Sequence, residues 1–501
     1  MTPRRPLHRP HIRTWPLTIT TTAFACMFIV FSILEITNSL VHSFELLKVQ
    51  HHHHHSPQQH HFEKSFHHDD NDEPLHLVMN QDFTPSFLRN LDSIEIPENI
   101  QRKLSHRDLK SLLQENDVPI ASSLFSQDRH SIRSLIHHEN VNIFSFDFLN
   151  CQTPLNNDLI LNVQTPTLMV RMVNSQSWMK ELSQEIGEIP MSQLKIPATH
   201  NSASYNVSSN QEYGVDVNYD SSMSLIPQMA KLFKMYGVNP MRIKQFVAPW
   251  FKNQECSILQ QLKHGIRHLD LRLCKVENSE TRNNKFWACH GLLSVTFSSI
   301  FEQVKQFHLE NPFEVITLDI NHIYGFTSQK DHLEFLNMTS EILGIDSVID
   351  PSKFSTNSTL NSIWKESSSS RIFLFYNHQE TTRKYASTYK LFPSSSLSTP
   401  WANKQQMPAL YSEILTQLRA RSNLHRRFVS QILLTPNLSM MVDGLFEKPK
   451  SVRQLAEMNY GSIPEWIKDN APGSKLNVVN TDYYNLNGRK FITQIISQNF
   501  S

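Results

Sequence analysis

Apolar residues recur with two different periods along the second half of the chain. Some short runs are apolar almost throughout, such as VITLDI at residues 315–320 and IFLFY at Ile372–Tyr376. Runs of this kind are typical of strands that are buried on both faces. Further strands are predicted at residues 194–197, 267–273, 286–289, 431–434 and 476–480.

Helical patterns separate several of these runs. Residues 257–264 (SILQQLKH) end at Gly265, a favoured residue just after a helix. Residues 298–308 place four apolar side chains on one stripe, and Pro312 ends the pattern. Helices that alternate with strands too apolar for a one-sided sheet predict a parallel α/β fold, most economically a TIM-like barrel.

Polar side chains follow or interrupt the predicted strands. In a barrel of parallel strands, active sites are built where the strands end. His200, in a turn of small residues, suits a catalytic base because imidazole titrates near neutral pH. An ordinary loop histidine is the alternative. The other polar residues in such positions are Asp270, Arg272, His290, Asn321, His322 and Asp482.

Structural roles are also open for several of these residues. Asp270 and Arg272 lie on one face of their strand and would also fit a buried ion pair. Asn321 and His322 fit a simple turn as well as a pocket. Three tryptophans would be able to contact lipid, although buried positions are predicted for each of them. They are Trp250, Trp287 and Trp401.

Residues 1–45 predict a membrane-targeting element. Four arginines precede residues 17–34, eighteen residues without a charge, and Glu35 closes this run. The run just reaches the length of a spanning helix, and no A-x-A-like cleavage site follows it. An uncleaved signal anchor is therefore favoured, with the rest of the chain luminal or extracellular. A cleaved signal peptide of a secreted protein is the alternative.

The 501 residues exceed one typical domain. Residues 46–165 are predicted to form a low-complexity linker and an N-terminal region of undefined structure. Within them, the histidine-rich tract at residues 51–72 is interpreted as a solvated linker, with metal capture as the alternative. Residues 166–501 are predicted to form the barrel domain.

Composition excludes some function classes and leaves the location open. A net charge of +1 and only 11 glycines argue against a nucleic-acid partner and a glycine-rich phosphate loop. Apart from Cys26, four cysteines without a CxxC pair argue against zinc and allow one or two disulfides. Glycosylation sequons permit a luminal location, although about this many are expected by chance. They begin at Asn206, Asn337, Asn357, Asn437 and Asn499.

Six segments, in order, resemble the motifs of the phosphatidylinositol-specific phospholipase C (PI-PLC) X domain. They are IPATHNSASY, GIRHLDLRL, ACHGLL, VITLDINHIYG, ILTPN and NVVNTDYY, and the resemblance covers roughly residues 175–500. The chain is most similar to the stand-alone PI-PLC X domain-containing proteins. The resemblance implies a distorted TIM barrel. It also implies a phosphoric diester hydrolase that cleaves phosphatidylinositol-type lipids into diacylglycerol and a cyclic inositol phosphate.

The resemblance also implies a role for each motif residue. His200 would be the base that takes the proton of the inositol 2-hydroxyl, and Asp482 would orient its ring. His290 would be the acid that protonates the diacylglycerol oxygen, a pairing suited to phosphoryl transfer with an internal nucleophile. Arg272 would hold the phosphate. The substrate-binding residues implied are Asn201, Asp270, Asn321 and His322.

Two motif positions bear on the cofactor and on the rate. Calcium-dependent members of the superfamily carry a metal-binding carboxylate where Arg272 stands, so the resemblance implies that no metal or other cofactor is required. Asn201 departs from the aspartate of the metal-independent enzymes. An amide cannot raise the proton affinity of His290 as a carboxylate would.

The partners implied are a phospholipid substrate and a membrane surface. The head group would be selected by loops such as residues 206–252. Two alternatives remain: a catalytically weak relative that binds lipid, and an enzyme of the same fold that acts on another substrate, such as a glycerophosphodiester or a sphingolipid.

Overall fold

The computed structural model describes residues 134–135, 151, 158–164, 168–219, 239–277, 285–444, 446–470, 475–486 and 490–500. The predicted membrane-targeting element and the histidine-rich tract lie outside these residues. In the described part of the chain, no helix is both long and apolar enough to cross a membrane.

Strands and helices are numbered in chain order. The strands are β1 (Ser134–Leu135), β2 (Asp158–Gln164), β3 (Leu168–Asn174), β4 (Ile196–Thr199), β5 (His268–Lys275), β6 (Phe286–His290), β7 (Leu292–Thr296), β8 (Ile316–Tyr324), β9 (Ile372–Tyr376), β10 (Leu391–Pro393), β11 (Leu397–Ser398), β12 (Arg427–Gln431) and β13 (Val478–Thr481). The α-helices are α1 (Trp178–Glu181), α2 (Ser183–Ile186), α3 (Pro240–Phe251), α4 (Ile258–Lys263), α5 (Phe297–Glu310), α6 (Gln329–Leu343), α7 (Leu360–Glu366), α8 (Gln379–Tyr389), α9 (Met407–Ala420), α10 (Leu438–Asp443), α11 (Val452–Asn459), α12 (Ser462–Asn470) and α13 (Lys490–Ser497).

Eight strands form one parallel path in the order β10-β9-β8-β5-β4-β13-β12-β11. Around this path the strands follow chain order, as in a TIM-type barrel. Only the 3-10 turn Ser394–Ser396 separates β10 from β11, so the two ends of the path are joined and the sheet curls round. Because no helix returns the chain between them, β10 and β11 act as two segments of one interrupted strand. The predicted distorted TIM-like barrel is confirmed.

A hairpin outside this path carries one motif histidine. Strand β6 pairs antiparallel with β5 and with β7. Residues 286–289 therefore form a strand as predicted, but this strand is not one of the parallel barrel strands. The disulfide between Cys274 and Cys289 joins β5 to β6. A second disulfide joins Cys151 to Cys256. The expectation of one or two disulfides is confirmed.

The predicted helices form where their signals lie. Ser257 caps α4 in a capping box, and Gly265 follows with a φ of +113°, which only glycine adopts readily. Helix α5 buries Ile300, Phe301 and Val304 against the sheet. Each such side chain contributes about 1.5–3 kcal/mol when fully buried.

Several strand boundaries differ from the prediction, among them those of β4 and β12. Strand β4 continues past Pro197 to Thr199, and the Pro197 carbonyl accepts a hydrogen bond from the backbone N–H of Arg267. The strand predicted at residues 431–434 is wrong, because β12 spans Arg427–Gln431. Its polar residues Arg427 and Ser430 are fully buried, so an apolar run did not mark this strand.

A small antiparallel sheet, β1-β3-β2, precedes the barrel. Strands β2 and β3 pair along their whole length, from Asp158 opposite Asn174 to Gln164 opposite Leu168. Leu159 of β2 is buried in the same hydrophobic cluster as the barrel strands. Part of the region without predicted structure therefore packs on the barrel.

Candidate active site

His200 lies directly after β4, at the carboxyl end of the strand. Its backbone N–H donates to the Thr481 carbonyl at 3.0 Å, and Gln254 Nε2 donates to its carbonyl at 2.9 Å. The residue is 4% exposed. The next residue, Asn201, has a φ of 43°, a left-handed conformation that asparagine tolerates better than most residues. This turn fixes the backbone on both sides of the imidazole.

Both ring nitrogens of His200 have neighbours. Asp482 Oδ1 lies 2.8 Å from Nδ1, and Arg272 Nη2 lies 3.3 Å from Nε2. Because a carboxylate only accepts, Nδ1 carries the proton and Nε2 presents its lone pair. Asn253 Nδ2 also donates to Asp482 Oδ1 at 3.0 Å, which fixes the carboxylate.

His290 faces His200 from the β5–β6 hairpin, with 6.3 Å between the ring centroids. Its Nδ1 lies 2.8 Å from the carbonyl oxygen of Phe251, to which it donates. Burial, and then the positive charge of Arg272 and that of His200 when it is protonated, lower the pKa of His290 well below 6.5. His290 is therefore neutral at pH 7 in the free protein, with an unprotonated Nε2.

Asp270 and Arg272 lie on β5, as predicted. Asp270 Oδ2 accepts from the backbone N–H of Asn201 at 3.2 Å, and Oδ1 accepts from Asn321 Nδ2. Burial raises the pKa of Asp270, but the charges of His200, Arg272 and His322 outweigh it and hold the pKa below its usual value. No ion pair joins Asp270 to Arg272 among the described residues, so the alternative of a simple buried pair is wrong.

Asn321 and His322 belong to β8, which continues to Tyr324. The alternative that these two residues form a simple turn is therefore wrong. His322 is exposed, its Nδ1 lies 2.7 Å from Asn321 Oδ1, and its ring stacks on Tyr324. Asn201 lies in the same cluster, where its Nδ2 donates to Asn253 Oδ1 at 3.0 Å. The structure thus brings all eight predicted site residues together.

Residues 251–254 support the site but were not predicted. The Phe251 carbonyl contacts His290, Asn253 links Asn201 to Asp482, and Gln254 holds the backbone of His200. Phe251 is the last residue of α3, and the residues that follow it have no periodic pattern. Backbone carbonyls carry no sequence signal, so only the two amide side chains offered a clue.

Trp401 also lies at the site, 5.4 Å from the His200 ring, and is 42% exposed. The prediction of a buried position is therefore wrong for Trp401. It is confirmed for Trp250, which is 2% exposed, whereas Trp287 is half-buried. Trp401 gives the site an aromatic edge in contact with solvent.

Among the described residues, one group brings three possible metal-binding side chains within 4.8 Å: Asp216, Cys274 and Cys289. The two cysteines form a disulfide, so they offer no thiolate. Asp216 instead accepts a hydrogen bond from the Gly291 backbone N–H at 2.6 Å, beside His290. This group supports the hairpin and is not suited to a metal.

Several known proteins are similar to this chain in sequence. The PI-PLC X domain-containing protein 3 of Mus musculus is 27% identical over 326 residues, which are 64% of this chain and 93% of that protein. The chain is a relative of the PI-PLC X domain-containing proteins. The resemblance inferred from the motifs is confirmed.

Two further proteins that are similar to this chain carry the name phospholipase C. The variant-surface-glycoprotein phospholipase C of Trypanosoma cruzi is 26% identical over 307 residues, which are 58% of this chain and 76% of that protein. Among solved structures, the phosphatidylinositol-specific phospholipase C from Listeria monocytogenes is 18% identical with a TM-score of 0.42, covering 65% of this chain and 99% of that chain. No family model matches the chain.

Proposed function

We propose that this protein is a phosphatidylinositol-specific phospholipase C. The inositol 2-hydroxyl oxygen attacks the lipid's own phosphorus, and the bond from phosphorus to the diacylglycerol oxygen breaks. The products are diacylglycerol and a cyclic inositol phosphate. The relatives named PI-PLC X domain-containing proteins and phospholipase C support this assignment.

The observation that carries the proposal is the facing pair of histidines, with Arg272 beside His200. His200 Nε2 takes the proton of the 2-hydroxyl, since Asp482 holds its Nδ1. Arg272 Nη2, 3.3 Å from that nitrogen, binds the phosphate oxygens as negative charge develops. His290 protonates the departing diacylglycerol oxygen.

His290 acquires its proton when substrate binds. Its pKa is lowered well below 6.5 by burial, Arg272 and His200, so the free protein holds it neutral at pH 7. A phosphodiester carries a negative charge, which offsets the nearby positive charges and raises the pKa of His290. Substrate binding therefore prepares the acid. No metal is needed in this scheme, since the Arg272 guanidinium supplies the positive charge.

The remaining predicted residues are assigned to the inositol ring. Asp270, Asn321 and His322 form one hydrogen-bonded chain from the barrel interior to the surface. Carboxylate, amide and imidazole groups are suited to binding several ring hydroxyls. Asn201 belongs to the same wall through its contact with Asp270. Trp401 would contact the membrane surface, because aromatic side chains with a polar edge favour interfaces.

A second function, a catalytically weak relative that binds lipid, is favoured by one observation. Asn201 is neutral and donates to Asn253, and the Nδ1 partner of His290 is a backbone carbonyl. Neither group carries the negative charge that would keep His290 protonated. An enzyme of the same fold with a different phospholipid substrate would keep the same catalytic groups.

The test is a lipid panel with the purified full-length protein in mixed vesicles, with phosphorus NMR of the water-soluble product. We expect cyclic inositol phosphate from phosphatidylinositol to appear before the open form, because water enters only later. Binding to phosphatidylinositol vesicles without any product would identify the lipid-binding relative. Turnover of another phospholipid alone would change the substrate assignment.

We further propose that residues 1–45 form a signal anchor, that residues 46–165 link it to the barrel, and that residues 166–501 carry the catalytic domain outside the cytosol. Two disulfides support an oxidising compartment. Of the sequon residues, Asn206, Asn337 and Asn437 are exposed, so glycans would fit there.

Carbonate extraction of cell membranes tests the location. We expect the protein to stay in the pellet with its N-terminus intact. A soluble mature chain that begins after Ile36 would establish the alternative of a secreted enzyme.

A further inference from the structure

A second cavity lies beside the proposed catalytic cluster. It has a volume of about 390 Å³ and is bounded by α3, by the start of α11 and by residues 207–209. None of His200, Arg272, His290 and Asp482 lines it. A ligand in this cavity would therefore occupy a place separate from the reacting groups.

The polar walls of this cavity mostly carry hydrogen-bond donors. The exception is Glu255, whose carboxylate is already engaged by the guanidinium of Arg453 and by Asn485 Nδ2 at 3.1 Å. Helix α11 also begins at the wall, with Ser451 as its N-cap. The lining side chains with donors are Ser208, Ser209, Gln245, Lys252, Arg453 and Tyr483.

Lys252 carries the decisive charge. Among the described residues Lys252 forms no ion pair, whereas Lys244 on the preceding helix α3 contacts Glu212 Oε2 at 3.4 Å and donates to the Gln211 carbonyl at 2.8 Å. Burial, and then the like charge of Arg453, lower the pKa of Lys252. An anion between these two cations would offset their repulsion.

We propose that this cavity binds a phosphate group, carried either by a soluble phosphate ester or by the head group of a phospholipid. Lys252, which forms no ion pair among the described residues, supplies the charge, because the Arg453 guanidinium is already paired with Glu255 and Glu457. The hydroxyls of Ser208 and Ser209 supply further donors, and the start of α11 adds a favourable dipole. Its size fits a small phosphorylated head group, since ligand pockets usually measure about 300–1,000 Å³.

The cavity is joined to the proposed active site by three consecutive residues. Lys252 stands between Phe251, whose carbonyl contacts His290, and Asn253, whose side chain contacts Asp482. A ligand bound to Lys252 therefore contacts the segment whose neighbouring residues hold His290 and Asp482 in place. This connection rests on the proposed function, whereas binding of phosphate in the cavity does not.

Calorimetric titration of the full-length protein with inorganic phosphate tests the site. We expect two phosphates per chain in the wild type, one lost in Arg272→Gln and the other lost in Lys252→Met. Removing a charged hydrogen-bond partner should weaken binding at this second site at least about tenfold. Lys244→Met, on the preceding helix α3 and outside the cavity, should bind as the wild type does.

Lys252→Arg keeps the charge and should keep the site, which guards against a folding defect in Lys252→Met. The proposal is overturned if Lys252→Met, folded by circular dichroism, binds phosphate as the wild type does. It is also overturned if Lys252→Arg and Lys252→Met lose binding alike. Because no turnover is measured, an inactive protein would overturn the proposed function and leave this result unaffected.

Vesicle binding distinguishes the two sources of phosphate. Phosphatidylcholine vesicles with and without phosphatidylglycerol serve as probes. If the ligand is a head group, Lys252→Met should bind the phosphatidylglycerol vesicles about tenfold more weakly than Lys244→Met does. If it is a soluble ester, the two variants should bind vesicles equally, while inorganic phosphate binding still falls only in Lys252→Met.

Discussion

The two site histidines lie 6.3 Å apart but are held in opposite ways. His200 donates from Nδ1 to a carboxylate, whereas His290 donates from Nδ1 to a backbone carbonyl. A carboxylate stabilises an imidazolium through its charge, whereas a carbonyl mainly orients the ring. The difference assigns the base to His200, which must keep a proton once it takes one. It assigns to His290 a proton that depends on the substrate's charge.

The largest effect is expected when either of the two histidines is removed. His200→Ala and His290→Ala should each lower kcat about 10³ to 10⁴-fold, because both groups act in one step. The double variant should be little worse than either single variant. Release of cyclic product from phosphatidylinositol is the measurement. Effects that multiply in the double variant would mean that the two histidines act in separate steps.

A smaller loss is expected when only the partner of His200 changes. Asp482→Asn should lower kcat about 10²-fold, since the amide no longer stabilises the imidazolium. KM should change little, because Asp482 is buried behind the ring. Asn480→Ala serves as the control, because Asn480 lies on β13, the strand that ends just before Asp482, and its side chain donates a hydrogen bond to Gln431. Equal losses in both variants would point to a general packing defect.

The surroundings of the two rings also differ in exposure, since Trp401 beside His200 is 42% exposed and Phe251 beside His290 is buried. Trp401→Ala should raise the apparent KM on vesicles about tenfold, through loss of an interfacial aromatic side chain. Activity towards a soluble short-chain substrate should change far less. A loss on both substrates would place Trp401 in the chemistry.

Asn201→Asp would make the surroundings of His290 more like those of His200. A new negative charge should raise the pKa of His290, so the descending limb of kcat/KM should move to higher pH. Turnover at pH 7 should then increase severalfold, within the range of about tenfold per pKa unit. Asn201→Ala is the control without charge. A fall in turnover with an unshifted limb would show that the contact of Asn201 with Asn253 matters more than charge.

The smallest expected effect is that of metal removal. Because the Arg272 guanidinium, 3.3 Å from His200 Nε2, supplies the positive charge at the site, excess chelator should leave kcat/KM within about twofold of its value without chelator. Added calcium should then have no effect on the chelated protein. Loss of activity that calcium restores would show that Asn201, which departs from the aspartate of the metal-independent enzymes, is the better guide to this site.

The barrel and the clustering of the eight candidate residues could be predicted because both leave patterns in the sequence. Buried strands such as Ile372–Tyr376 are apolar throughout, and polar residues at strand ends stand out against them. Strand β12 left no such apolar pattern, because Arg427 is buried inside the barrel, where its Nη1 donates to Thr317 Oγ1 at 2.6 Å. A buried cation resembles a surface residue in the sequence.

The supports of the histidines could not be predicted for a different reason. The Phe251 carbonyl acts through the backbone, which every residue possesses, and Asn253 acts because α3 ends at Phe251. Trp401 was misplaced since aromatic residues are buried more often than exposed. These positions depend on tertiary packing, and a single sequence does not encode that in its periodicity.

The bond between Cys151 and Cys256 bears on how the barrel would be released if residues 1–45 anchor the chain, as proposed. It joins residues 105 positions apart, from a point between β1 and β2 of the small sheet to a point within the barrel domain. A protease that cuts once between these cysteines leaves both fragments covalently attached. Only a cut on the N-terminal side of Cys151 would shed the barrel, and a gel run with and without reductant would distinguish the two kinds of cleavage.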